Sequence, residues 1–178
     1  MRYSRILIFI ALIAIVACAK DKEAEHVSAQ EKIIDTYWAK IDSTLFEKTI
    51  KDEIFRIVLV KGDKTQPVEQ GSSISFFYMG AILTDKGLDT LQVFDTNIKK
   101  VAERLKLSTA EELEICEAVA GGGHFISGLE KGLLQMHKGE KALIIFTSKY
   151  GYGDKVMNTI PAYSPIIFEV EMKDVKKQ

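Results

Sequence analysis

Ile166-Ile167-Phe168-Glu169-Val170-Glu171-Met172-Lys173-Asp174-Val175 alternates with a period of two. Ile166, Phe168, Val170 and Met172 fall on one face, and Glu169, Glu171 and Lys173 on the other. Successive side chains of a strand point to opposite faces, so the stretch reads as a strand of an antiparallel sheet with one wet face. Moving outward, Lys141 to Ser148 (KALIIFTS) reads as a second strand. Ser72 to Leu83 (SSISFFYMGAIL) and Thr90 to Phe94 form an adjoining pair, turned at Asp85-Lys86-Gly87. Ile54 to Val60 has the same strand character, and Lys61-Gly62-Asp63-Lys64 reads as the turn after it.

Helical spacing appears in three places. Ile98, Val101, Ala102 and Leu105 recur within the excursion from Thr96 to Ala118, and Ser108 with Glu111 offers a capping box for a second short helix there. Gly128 to Met136 places Leu129, Leu133 and Met136 on one side of a short helix. Ser28 to Ile41 carries Ile33, Ile34, Tyr37, Trp38 and Ile41 on one face, with Ser28 and Glu31 in capping-box spacing. The single Trp predicts that this helix docks on the main domain. Ala19 to Ala29 is polar and reads as a solvated tether. The fold class is α+β: an antiparallel sheet, one short packed helix and a helical excursion.

The chain has 178 residues, 47% hydrophobic and 28% charged, an ordinary globular mixture. Twelve Gly and three Pro without repeats exclude a collagen-like chain, and two Cys exclude a disulfide scaffold. A net charge of −1 supplies no basic field for nucleic acid. At the start, Arg2 and Arg5 precede the apolar run Ile6 to Val16, which is short for a membrane span and suits a signal sequence. Ile15-Val16-Ala17-Cys18 resembles the bacterial lipobox, which implies cleavage before Cys18 and a lipid on its sulfur. The mature chain is then 178 − 17 = 161 residues, and Cys116 is its one remaining possible thiol, read as a small buried apolar residue.

The usual catalytic kits are missing from the sequence. His26, His124 and His137 have no metal-ligand spacing, so no metal is expected. No Ser sits in a Gly-x-Ser-x-Gly elbow. Gly121-Gly122-Gly123 lacks a following Gly-Lys-Ser/Thr and reads as a turn needing positive φ. What remains is aromatic: Tyr78, Phe94, Phe125, Tyr150, Tyr152, Tyr163 and Phe168, from separate segments.

Several short motifs follow in order: Val93-Phe94-Asp95-Thr96, Phe125-Ile126-Ser127-Gly128-Leu129-Glu130-Lys131-Gly132-Leu133, and Met136-His137-Lys138-Gly139-Glu140-Lys141. Tyr150-Gly151-Tyr152-Gly153, Ile160-Pro161 and Ile166-Ile167-Phe168-Glu169-Val170-Glu171 complete the set. The ordered series resembles the FKBP-type peptidyl-prolyl cis-trans isomerases, over about Glu53 to Lys176. The signal sequence and charged N-terminal helix look like the lipid-anchored members of Bacteroidetes. The resemblance implies three parts: a lipoprotein signal peptide over 1–17, a lipid-anchored tether and N-terminal helix over 18–52, and an FKBP-like domain over 53–178. It implies an antiparallel half-barrel wrapped around the helix Gly128 to Met136, with a proline pocket between them. The pocket walls would be Tyr78, Phe94, Asp95, Phe125, Ile126, Tyr152, Ile160 and Phe168, and its floor Leu129. Tyr152 would donate to the substrate carbonyl, and Asp95 would orient neighbouring hydroxyls. No cofactor or metal is implied. The partners would be unfolded or flexible Pro-containing chains in the cell envelope, the outer membrane through Cys18, and a macrolide such as tacrolimus. Three departures stand out. Leu129 replaces the floor aromatic common in the family. The segment after Asp95 is longer than in the minimal domain, so that Cys116 falls near a further wall position. The loop Asp154 to Thr159 lacks a His often found there.

Overall fold

The computed structural model describes residues 24–107 and 114–177. The expected signal sequence, Cys18 and the expected Ser108–Glu111 capping box lie outside the described residues. The strand Ile166–Lys176 (β9) runs between Lys141–Phe146 (β8) and Ser73–Thr84 (β4), antiparallel to both. The order continues from β8 to Ile54–Val60 (β2) and the edge strand Glu47–Lys51 (β1). On the far side, β4 pairs with Gly87–Thr96 (β5) along one stretch and with Cys116–Val119 (β6) along another. Among the described residues these seven strands form one antiparallel sheet, and Asp63–Pro67 (β3) pairs with His137–Lys138 (β7) in a separate ribbon.

The inner face of the sheet closes on the helix Ser127–Leu133 (α3). Phe168, Val170 and Met172 of β9, Ile144 and Phe146 of β8, and Leu129 and Leu133 of α3 share one buried apolar cluster. A Cβ at Gly128 would collide with the Phe146 ring, and one at Gly132 with Ile144, so these two glycines let the helix lie against β8. The helix stops at Leu133, three residues earlier than its pattern predicts. Leu134 is extended and Gln135 takes φ 63, yet Met136 is still fully buried, because the chain turns back under the sheet.

The outer face is only partly wet, which corrects the reading of β9. Ile167, Ile145, Leu143, Ile57, Met79, Ala81 and Leu83 form a second apolar cluster on it. Two helices cover that cluster: residues 24–40 (α1) through Ile34 and Lys99–Leu105 (α2) through Val101 and Leu105. The apolar pairs Ile144-Ile145 and Ile166-Ile167 supply both faces of their strands, so a strict inside–outside alternation holds only toward the C-terminal half of β9. Trp38 docks edge-on against Phe55 at 5.3 Å between ring centroids.

Helix α1 already includes residues 24–29, so that part of the expected tether is helix and Ser28 lies inside the helix rather than capping it. The strand predicted over Lys141 to Ser148 ends at Phe146, and Ser148–Tyr150 forms a 3-10 turn. Strands β1 and β3 were not legible in sequence: β1 is exposed at four of its five positions, so no alternation marks it.

Candidate active site

Gly80 lies at the centre of the site. In β4 it faces Phe168 of β9 on one side and Asp95 of β5 on the other. A Cβ at Gly80 would stand 2.6 Å from Phe168 Cε1 and 3.0 Å from Phe94 Cε2. Its absence lets the two rings meet edge to face at 6.0 Å and 86°. Tyr152 approaches Phe94 at 6.0 Å and 84°, and Tyr78 approaches Phe168 at 6.1 Å and 55°. Behind them Phe146 stacks on Phe168 at 6.2 Å, and Phe76 joins Phe125 at 5.5 Å. Leu129 is buried in the same cluster, Ile160 with it, and Ile126 packs against it just before α3. Of the nine residues expected at the pocket, Phe94, Asp95, Tyr152 and Ile160 line the cavity described next, while Tyr78, Phe125, Ile126, Leu129 and Phe168 belong to the apolar cluster beside it.

A cavity of about 260 Å³ opens beside this cluster, lined by Phe94, Asp95, Tyr152, Met157, Asn158, Thr159 and Ile160. The Tyr78 hydroxyl donates to Asp95 Oδ2 across 3.0 Å. Burial, then the Asp95 charge and this hydrogen bond, push the Tyr78 phenol far above its ordinary value. Burial and the Asp95 carboxylate also raise the Tyr152 phenol and the Cys116 thiol. All three groups therefore keep their protons at neutral pH. Among the described residues the Tyr152 hydroxyl has no hydrogen-bond partner, so its proton is free for a ligand in the cavity.

The polar frame around these rings includes residues that the sequence reading missed. Asn97 accepts from Tyr78 N at 2.7 Å and donates to the carbonyls of Phe76 at 3.0 Å and Glu114 at 3.2 Å. Its amide fills the gap where β5 leaves β4 and before β6 rejoins it. Thr96 Oγ1 donates to the Tyr78 carbonyl at 2.7 Å. Glu130 of α3 accepts from Gly121 N at 2.8 Å and Phe125 N at 3.1 Å, which fixes the glycine turn that delivers Phe125. Gly121 and Gly123 take φ 72 and 76, as the turn requires. No spacing motif marks Asn97, since its partners are backbone atoms brought close by the fold. The Phe76 ring could have been read from its place two residues before Tyr78 on one strand face.

One of the seven scattered aromatics, Tyr163, lies outside this cluster and stacks on His26 at 4.1 Å and 11°. Tyr150 packs against the cluster without lining the cavity and carries the Lys131 ammonium over its ring at 4.4 Å. His137 pairs with the buried Glu140 at 2.9 Å. A larger groove of about 420 Å³ runs along β6, lined by residues such as Ser73, Glu117, His124 and Lys176, and shares no lining residue with the smaller cavity. It is mixed polar surface without the convergent rings of the smaller cavity. Among the described residues no three His, Cys, Asp or Glu groups gather into a candidate metal site.

Residues 64–173 match a family model described as FKBP-type peptidyl-prolyl cis-trans isomerase. The chain is 50% identical over 52 residues to FK506-binding protein 1 of Aspergillus oryzae, covering 29% of this chain and 45% of that protein. It is 38% identical over 112 residues to FK506-binding protein 15 of Mus musculus, covering 61% of this chain and 8% of that protein. The chain thus matches less than half the length of these curated relatives. Among solved structures, a peptidyl-prolyl cis-trans isomerase from Pseudomonas syringae pv. tomato aligns with a TM-score of 0.61 at 20% identity, covering 86% of this chain and 96% of that one. FkpA from Escherichia coli aligns at 0.59 and 21% identity, covering 95% of this chain and 71% of that one. At these identities the likeness shows the fold.

Proposed function

The chain belongs to the FKBP-type peptidyl-prolyl cis-trans isomerase family, and on that premise we propose that it accelerates rotation about X-Pro bonds. The observation that carries the proposal is the cavity between Phe94, Tyr152 and Ile160, lined by a phenol that has no hydrogen-bond partner among the described residues. Rotation must break amide resonance, a barrier of about 18–20 kcal/mol, and needs no covalent bond to the protein. The prolyl ring enters among Phe94, Phe168 and Ile160, above Leu129. The neutral Tyr152 hydroxyl donates to the substrate carbonyl and holds one side of the bond while the other turns. Asp95, held by Tyr78, sets the polar edge of the cavity. The apolar walls favour the less dipolar twisted amide over the planar one. Each tenfold in rate requires about 1.4 kcal/mol of such preference.

The substrates proposed are unfolded or flexible Pro-containing chains of the cell envelope. X-Pro bonds isomerise unaided over roughly tens to hundreds of seconds, slow enough to limit folding. The envelope location is supported by the apolar run ending at Ile15-Val16-Ala17-Cys18, with Cys18 as the lipid-bearing residue and the outer membrane as the anchor. Mass spectrometry of the mature N-terminus tests this: a lipid-modified Cys18 supports it, and an unmodified chain starting elsewhere overturns it. For the activity, the test is proline-limited isomerisation of a tetrapeptide by the chain from Ala19 onward, with tacrolimus as competing ligand. Catalysis lost in Tyr152→Phe supports the reading; an inactive wild-type chain overturns it. A second reading, binding of apolar or Pro-containing segments with weak catalysis, is favoured by Leu129, which offers less flat area beneath a prolyl ring than an aromatic would. Tight peptide binding without turnover would select it.

A further inference from the structure

Helix α1 lies outside residues 64–173, yet it touches the loop that carries two pocket residues. That loop leaves β8 through the turn Ser148–Tyr150, passes Tyr152 and Ile160, and enters β9 at Ile166. Its contacts with α1 form a closed circuit. Gln30, buried on α1, accepts from Ser148 N at 2.6 Å and donates to Ser148 Oγ at 3.0 Å. The Ser148 carbonyl accepts from Gly151 N and Gly153 N, both at 2.9 Å, so Tyr152 is gripped between two amides tied to one oxygen. The Gly153 carbonyl accepts from Tyr163 N at 2.8 Å. The Tyr163 ring stacks on His26, and the His26 carbonyl accepts from Gln30 Nε2 at 3.1 Å, which closes the circuit.

Tyr163 marks the strain in this arrangement. Its φ of 58 is a left-handed conformation that a residue with a bulky side chain adopts only when its surroundings enforce it. The enforcing contacts are the Gly153 bond on one side and the His26 ring on the other. Ser148 and Gln30 are buried polar residues joined by two hydrogen bonds, so the Ser148 amide and hydroxyl lose these partners when α1 is displaced.

We propose that Gln30 and His26 are positioning residues: α1 clamps the loop 148–165 from behind and holds Tyr152 and Ile160 at the cavity. The inference rests on the isomerase reading of that cavity. A misplacement of about 1 Å at a reacting group lowers rate steeply, so the clamp acts on turnover more than on global stability.

The test uses the full chain with His26→Ala, His26→Phe and Gln30→Ala. Amide exchange is followed at Gly151, Gly153 and Tyr163, with β9 amides as internal reference, beside kcat/KM on a tetrapeptide and the melting temperature. His26 is exposed, so His26→Ala is expected to fold with little change in melting temperature. It should lose roughly tenfold in protection at Gly153 and Tyr163 through local opening, with β9 unchanged. Its kcat/KM should fall about three- to tenfold, and His26→Phe, which keeps a flat ring, should restore both readouts. Gln30→Ala should show the same local loss, extended to Gly151. Unchanged loop exchange in both alanine variants overturns the proposal, as does a fall in kcat/KM that follows global stability alone. If the wild-type chain has no isomerase activity, the isomerase reading fails. The clamp is then decided by exchange: local loss supports it, and unchanged protection overturns it.

Discussion

Tyr78 on β4 and Asp95 on β5 are joined across 3.0 Å, hydroxyl to carboxylate, although Asp95 is otherwise exposed. The bond ties the polar edge of the cavity to the aromatic wall beneath it. Its surroundings are asymmetric: the ring is half-buried and the carboxylate is in water. Screening therefore limits its worth to stability, while its direction still matters to the site.

Tyr78→Phe should lower stability by about 0.5–1 kcal/mol, since an exposed partner re-solvates easily. The same residue sets an alkaline limit. The folded pKa values of Tyr78 and Tyr152 are raised, by burial first and Asp95 second. Above pH about 10 the unfolded chain releases phenolic protons that the folded chain keeps, so it binds fewer protons and stability falls as pH rises. The contribution is fully present below that pH. Urea titrations from pH 8 to 11 should show the decline, and it should be shallower in Tyr78→Phe.

Gly80→Ala should disturb the site from its centre. The new Cβ would press on Phe168 and Phe94, and neither ring can retreat without displacing Tyr78, Phe146 or Tyr152. Overpacking of this kind costs about 1–3 kcal/mol. Peptide isomerisation should fall more than the stability loss explains, and equal activity per folded molecule would contradict the central place given to Gly80.

Asn97→Ala should destabilise by at least about 2 kcal/mol, because Tyr78 N and the Phe76 carbonyl lose a buried partner together. Asn97→Asp keeps an acceptor for Tyr78 N but turns a carboxylate toward the Phe76 and Glu114 carbonyls. It should be no less damaging at neutral pH, as thermal melts of the two variants would show.

Leu129→Trp should cost about 1–3 kcal/mol in a floor that is already close-packed. It should nonetheless raise tacrolimus affinity or kcat/KM, because a flat ring adds contact area below the prolyl group. A stably folded variant with neither change would show that Leu129 is not the floor.

The sequence alone determined the sheet strands with strong patterning, the three helical segments and the aromatic set. Period-two alternation in Ile166 to Met172 and helical spacing in Ile98 to Leu105 are local consequences of backbone geometry, so they survive in a one-dimensional record. The ordered motifs from Val93-Phe94-Asp95 to Phe168 named the expected pocket residues through resemblance, but which rings meet, and that only Phe94, Asp95, Tyr152 and Ile160 of them line the cavity, was not written there. Tyr150 and Tyr163 carry the same chemistry as Tyr152, and only the path of the loop turns one toward the cavity and the others away. The tertiary structure also decided that the outer sheet face is covered. Ile145 and Ile167 sit beside inward-facing neighbours, and a pair of adjacent apolar residues cannot say what packs on its second side. Asn97 and Gln30 were illegible for the same reason. A polar side chain whose partners are backbone amides far away in sequence has no pattern of its own, and its role exists only once the chain has closed around it.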